Sequence, residues 1–343
     1  MEYVTLNNGL KMPLEGFGVY QVTDEKECEE SVYQAIKAGY RLIDTAAAYT
    51  NEDAVGAAVK RAINDGICKR EDLFITSKLW VQDMMDYDSA KKGIEASLKK
   101  SGLEYLDLYL LHQACGDYFA AWRAMEDAYQ EGLLKAIGVS NFYPNILTNF
   151  CEVVKIKPVV NQVELHPYYT QEKALETMKY YNVIPEAWAP LGGGRYNPFE
   201  DEMLKDIANH HHKSVGQVLL RWNLQRGVVV IPKSTHLERI KENIDFFVES
   251  FNLDKWIDPE MIIYDDGSYS NKVNMFKDAA QKLKHNVKDI LVFEDSFSGI
   301  ANAYKAGIEK IVVICPQEKE SEYRDLPGVI MTIQDFSDFN KLI

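Results

Sequence analysis

The sequence predicts an α/β protein: a (β/α)8 TIM barrel entered by an N-terminal hairpin, followed by a partial doubly wound α/β segment. Three observations predict it. Short apolar runs rich in Val, Ile and Leu alternate with stretches whose apolar residues recur at helical spacing, the pattern of βα units around a parallel sheet. Eight such runs precede Val248, and a closed eight-strand barrel takes about 250 residues. Beyond that point the alternation restarts as a second, shorter set.

The elements follow in order. YVTLNNGLKMP reads as a hairpin turning at Asn7-Asn8-Gly9. The eight strands are GFGVY (16–20), RLIDT (41–45), LFITS (73–77), DLYLLH (107–112), KAIGVS (135–140), VVNQVEL (159–165), PEAWAPL (185–191) and VVVIPK (228–233). Between the first of them lie DEKECEESVYQAIKAG, NEDAVGAAVKRAINDG, SAKKGIEASLKKSG and YFAAWRAMEDAYQEG, each with apolar residues on one helical face. After Val248, the strand-like runs are MIIYDDG, ILVFEDS, KIVVICP and VIMTI, and VNMFKDAAQKLKH and SGIANAYKAG are helix-like. The expected division is 1–248 for the barrel and 249–343 for the second segment. No Gly/Ser- or Pro-rich linker separates them.

Composition narrows the function classes. The 343 residues are 46% apolar and 26% charged, which is ordinary globular composition. A net charge of −14 makes the chain a poor partner for nucleic acid or an anionic membrane. The five cysteines are scattered, odd in number and free of C-x-x-C spacing, so reduced thiols in a cytoplasmic protein are expected. The N-terminus lacks the apolar core of a signal peptide. No apolar run reaches the roughly 18 residues of a membrane span.

The chemistry is concentrated at strand ends. Asp44, Lys78 and His112 each close an apolar run, and Tyr49 lies five residues after Asp44. In a parallel barrel the strand C-termini share one face, where catalytic groups sit. Taken singly, these residues read more simply as a buried ion pair, a satisfied histidine and a core tyrosine. Together they make a proton-donating site: the ammonium lowers the phenol from its free value near 10, the carboxylate keeps the ammonium charged, and the imidazole orients a carbonyl oxygen. His210, His211 and His212 read as a solvated helix end, because adjacent helical residues do not share a face.

Residues 1 to about 247 resemble an aldo-keto reductase of the branch that includes 2,5-diketogluconate and methylglyoxal reductases. The resemblance rests on GYRLIDTAAAYTNEDAVG, LFITSKLW, GLEYLDLYLLHQ, IGVSNF, NQVELHP, WAPLGGG and IPKSTHLERIKENIDFF, which occur in the family's order. It implies NADPH-dependent reduction of a small carbonyl substrate, with Asp44, Tyr49, Lys78 and His112 as the catalytic tetrad and Tyr49 as the acid. It further implies a nicotinamide carboxamide against Ser140, Asn141 and Gln162, ring stacking on Trp188, and Leu191 at the cofactor. Lys233, Ser234 and Arg239 would hold the 2′-phosphate, and Glu242 and Asn243 the adenine. Tyr20, Trp80 and the segment after His112 would line the substrate mouth. That segment departs from the family in carrying Ala114 and Cys115 where His-Gln-Pro is usual. No G-x-G-x-x-G is present, so a Rossmann-type cofactor grip is not expected.

Residues 249–343 resemble the C-terminal part of a haloacid-dehalogenase-like (HAD-like) phosphatase of the β-phosphoglucomutase type, through FNLDKWIDPEMIIYDDG, VFEDSFSGIANAYKAGI and KIVVICPQE. The resemblance makes Glu294 and Asp295 a weak Mg2+ candidate. The family's Asp-x-Asp nucleophile is absent; Asp265 and Asp266 are adjacent and misplaced, and Lys272 is the nearest candidate for its lysine. The segment also begins where the reductase family has a tail that folds over the substrate pocket. Two rival readings therefore stand beside carbonyl reduction: a phosphatase with a reductase-like passenger, disfavoured by the missing nucleophile, and a non-enzymatic scaffold, disfavoured by the intact tetrad.

Overall fold

A computed structural model describes residues 2–250, 272–282, 286–294 and 297–333. The chain divides into two compact units, Met1–Ser250 and Phe251–Ile343. In the first, β1 (Tyr3–Thr5) and β2 (Lys11–Pro13) form the antiparallel hairpin, with Thr5 opposite Lys11. The turn closes through a Leu6 N–H to Leu10 O bond of 2.8 Å, and Gly9 takes the positive φ of 88° that the reversal requires. Leu6 and Met12 from this hairpin are buried against Leu42, Phe74, Leu108 and Val160, so it plugs the end of the barrel where the strands begin.

Eight parallel strands follow: β3 (Gly16–Gly18), β4 (Leu42–Asp44), β5 (Phe74–Leu79), β6 (Leu108–Leu111), β7 (Ile137–Ser140), β8 (Val160–Glu164), β9 (Ile184–Trp188) and β10 (Val229–Val230). Each pairs with its sequence neighbour. The edges meet through a Glu15–Val230 bridge and two backbone bonds of 3.0 Å, Gly18 N–H to Pro232 O and Val230 N–H to Leu14 O. Gly18 permits this approach, because a Cβ there would lie 3.1 Å from the Ile231 carbonyl oxygen. Six of the eight strands fall within the expected runs; β5 continues two residues past LFITS to Leu79 and β9 starts one residue before PEAWAPL, while β3 and β10 are shorter than their apolar stretches.

The outer layer comprises α1 (Glu25–Ala38), α2 (Glu52–Asn64), α3 (Tyr87–Ser101), α4 (Tyr118–Gln130), α5 (Pro144–Val153), α6 (Glu172–Tyr181), α7 (Glu202–His210), α8 (Val215–Gln225) and α9 (Leu237–Ser250). Local chemistry sets their ends. Asp24, Asp86, Asp117 and Asp201 accept backbone N–H groups at the starts of α1, α3, α4 and α7, and Ser214 with Gln217 forms a capping box on α8. Helix α1 buries Cys28, Val32 and Ile36 in the same core cluster as Phe17 of β3 and Ile43 of β4. His210 ends α7, and His211 and His212 lie just past it.

The described part of the second unit holds α10 (Lys272–Lys282), β11 (Leu291–Glu294), α11 (Phe297–Lys305), β12 (Lys310–Ile314), α12 (Glu320–Tyr323) and β13 (Val329–Ile333). Its three strands are parallel in the order β11-β12-β13, over a core of Phe276, Ile300, Ile311, Val313 and Tyr323. The expected strand MIIYDDG, with Asp265 and Asp266, lies outside the described residues, as does Asp295. Among the described residues no helix is long and apolar enough to cross a membrane.

Candidate active site

The barrel brings the four predicted residues together at the C-terminal ends of its strands. Asp44 ends β4, Lys78 is the penultimate residue of β5, His112 follows β6, and Tyr49 closes a 3-10 turn after β4. Lys78 is fully buried and Asp44 nearly so. The Lys78 Nζ donates to Asp44 Oδ1 at 2.5 Å, to the Thr45 carbonyl at 2.9 Å and to the Tyr49 hydroxyl at 3.3 Å. A buried ammonium thus has its three protons assigned, and the Tyr49 O–H remains available to donate elsewhere. Ring packing sets the walls: Tyr20 and Tyr49 centroids are 5.0 Å apart, Tyr49 and His112 5.6 Å, and Trp80 and His112 4.9 Å.

Burial and charge decide the protonation states. Burial pulls Lys78 down, but the Asp44 carboxylate outweighs it and holds the ammonium above the usual lysine range. Burial, helped by Lys78, pushes His112 down to about 3, so its imidazole is neutral. Its Nδ1 is buried with no partner. Tyr49 corrects one expectation. The lysine does pull the phenol down, but burial outweighs it, and the hydroxyl sits above its ordinary value. The group is therefore a neutral phenol, as a proton donor must be.

A second network lies beside this one. Ser140 Oγ donates to the Gln162 carbonyl at 2.9 Å. Asn141 Nδ2 donates to the His112 carbonyl and to Ser140 Oγ, both at 3.1 Å, while its Oδ1 accepts the Trp188 indole N–H at 2.9 Å. Gln162 Nε2 donates to Asp44 Oδ2 at 2.8 Å and to Glu186 Oε2 at 2.9 Å. The amide protons of both side chains are thus engaged within the protein; Gln162 Oε1 and the second lone pair of Asn141 Oδ1, whose first accepts from Trp188, are left to meet a ligand. Four non-glycine residues with positive φ sit at or beside site residues: Gln21 (61°), Thr50 (56°), Asn141 (62°) and Ala189 (53°). Such backbone strain clusters where surrounding structure fixes functional side chains.

The other predicted residues are placed as follows. Tyr20 is exposed, Trp80, Trp188 and Leu191 are half-buried, and Cys115 is exposed after His112. Lys233 and Arg239 stand exposed at the start of α9, with Ser234 buried between them and its Oγ accepting the His236 N–H at 3.1 Å. On α9, Asn243 is buried and Glu242 exposed, the Glu242 carbonyl accepting from Gln217 Nε2 at 3.3 Å. Glu294 ends β11, where a Cβ on Gly299 would collide with its carboxyl group. Among the described residues no group of three His, Cys, Asp or Glu is arranged to hold a metal ion.

Sequence reasoning missed two features. Glu186 is fully buried, and burial together with Asp44 pushes its carboxyl up to about 8. A signal was present: Glu186 lies two residues before Trp188 and so shares its face of β9. Arg195, in the loop after β9, pairs with Glu164 at 3.1 Å and lies 5.8 Å over the Trp188 ring, while the buried His166 meets Glu164 at 3.3 Å. No sequence pattern ties these three together.

A model of the aldo/keto reductase family matches residues 15–257. The chain is 48% identical over 245 residues to glyoxal reductase of Bacillus subtilis, spanning 71% of this chain and 86% of that protein. It is 40% identical over 255 residues to methylglyoxal reductase DkgA of Escherichia coli, spanning 74% and 89% of the two chains. A crystal structure of an aldo-keto reductase of Bombyx mori in complex with NADP superposes with a TM-score of 0.69 at 39% identity, covering 72% of this chain and 87% of that one.

Proposed function

This chain belongs to the aldo/keto reductase family, and we propose that it reduces small aldehydes and ketones to alcohols at the expense of NADPH. The observation that carries this reading is the buried Lys78–Asp44 pair set directly on the Tyr49 oxygen. Bound NADPH supplies the hydride that reaches the carbonyl carbon. The carbonyl oxygen then needs a proton, and Tyr49 gives it. Lys78 stabilises the phenolate left behind, and Asp44 keeps Lys78 charged. The neutral His112 imidazole donates a hydrogen bond that orients the carbonyl oxygen and strengthens as negative charge develops there. Tyr49 recovers its proton from solvent, which closes the cycle.

The residues present suit the cofactor. Gln162 Oε1 and the remaining lone pair of Asn141 Oδ1 would accept from a carboxamide N–H2, Ser140 fixes the Gln162 backbone beside them, and Trp188 and Leu191 would offer apolar surface to the ring. Lys233, Ser234 and Arg239 at the start of α9 suit a phosphate dianion, with Glu242 and Asn243 one turn on for the adenine. Tyr20 and Trp80 bound the substrate mouth. The names of the Bacillus and Escherichia relatives favour 2-oxoaldehydes as substrates. NADPH oxidation with methylglyoxal tests the reading, and no turnover with any small aldehyde would refute it. Arg239→Ala should weaken NADPH far more than NADH, because only NADPH carries the extra phosphate; equal losses would remove Arg239 from that role.

For residues 249–343 we retain the likeness to a partial HAD-like fold. It is supported by the parallel strands β11–β13, their intervening helices and the carboxyl group of Glu294 at a strand end. Without a nucleophile motif this unit hydrolyses no phosphate ester, which p-nitrophenyl phosphate with Mg2+ tests directly.

A further inference from the structure

Beneath the tetrad lies a carboxyl group that the reaction as described does not use. Glu186 and Gln162 are register partners on β9 and β8. The Gln162 amide holds Glu186 Oε2 and Asp44 Oδ2 at once, at 2.9 and 2.8 Å, so the two carboxyl groups share one donor. Glu186 Oε1 is buried without a partner. The charged groups that act on Glu186 are Asp44 on β4 and Lys78 on β5; Gln162 faces it from β8, and the adjacent β10 contributes only Val229 and Val230. The site thus contains one cation, its carboxylate partner and a second carboxyl group with no cation of its own.

We propose that Glu186 is a positioning residue whose charge, transmitted through the Gln162 amide and the Asp44–Lys78 pair, sets how readily Tyr49 gives up its proton. This rests on the reductase reading above. A neutral Glu186 leaves Lys78 free to stabilise a Tyr49 phenolate. An ionised Glu186 places a second negative charge in the same water-free space, where it is poorly screened and opposes that phenolate. Burial places this change near pH 8, within the range where the reverse reaction is measurable. In that direction an alcohol loses its hydride to NADP+ and its hydroxyl proton to the Tyr49 phenolate, so the rate follows the phenolate fraction.

The test compares the wild-type chain with Glu186→Gln, which keeps the shape and cannot ionise. Methylglyoxal reduction by the wild type is measured first, then acetol oxidation with NADP+ from pH 7 to 9.5. Wild-type log kcat should rise with pH and bend toward a shallower slope near pH 8, while the variant rises without the bend. The ratio of variant to wild-type rates should climb about tenfold across that range. A merely structural role would change the rates by a constant factor, so a flat or falling ratio overturns the proposal. If Glu186→Gln does not fold, Glu186→Leu is read against the same criterion. A wild type that reduces no aldehyde overturns the reductase reading and this inference with it, whereas an active wild type with a flat ratio overturns this inference alone.

Discussion

Removing the Lys78 ammonium separates its catalytic from its structural part. In Lys78→Met the chain keeps a side chain of similar length, but Asp44 loses its 2.5 Å ion-pair partner while only 2% exposed. What remains for that carboxylate is the single donor from Gln162 at 2.8 Å. Breaking a buried pair from one side costs about 3–5 kcal/mol, because an uncompensated charge stays in the interior. For a unit of this size that is a fall in Tm on the order of 10 °C. The double variant Lys78→Met/Asp44→Asn removes the stranded charge, so most of the lost stability should return. Activity should not return, since neither variant retains the cation that stabilises a Tyr49 phenolate. Thermal melts with NADPH-linked methylglyoxal reduction measure both quantities on the same samples. A single variant within about 1 kcal/mol of wild type would show that the pair is not desolvated as described. Recovery of turnover in the double variant would refute the assignment of Lys78 to the chemistry.

Three further outcomes are expected. Tyr49→Phe keeps the ring and removes the acid, so kcat for reduction should fall by roughly 10²–10⁴ while NADPH still binds in a fluorescence titration; near-normal turnover would exclude Tyr49 as the donor. Burial pushes the Glu15 carboxyl from 4.5 up to about 8, against a Tyr40 hydrogen bond. Below 4.5 both folded and unfolded chains hold the proton; between 4.5 and 8 only the folded chain keeps it, so its contribution to stability is lost as pH rises. Glu15→Gln removes that loss, and melts at pH 5 and 8.5 should show the variant gaining on wild type at the higher pH. A chain ending at Ser250 contains every residue assigned to hydride transfer, proton transfer and the phosphate clamp, so it should bind NADPH and reduce methylglyoxal; soluble truncated protein that binds NADPH but reduces nothing would contradict this.

The barrel and the tetrad were legible because their signals are local. A strand alternates with period two, a helix repeats every 3.6 residues, and a polar residue ending an apolar run marks a strand terminus whichever strands lie beside it. Asp44, Lys78 and His112 could be placed on one face from that rule alone. Three things depended on residues far apart in the chain. Closure of the ring required Gly18 to approach Pro232, which no local pattern encodes. The sign of the Tyr49 shift was misread from sequence, because it is a balance between burial and the pull of Lys78, and burial is a property of the assembled fold. Glu186 was passed over inside an ordinary strand run, since its significance comes from Gln162, which bridges it to an aspartate 118 residues away from that glutamine. Periodicity follows from the geometry of a single element, whereas desolvation and Coulomb terms depend on distances that exist only after distant strands have closed around one another.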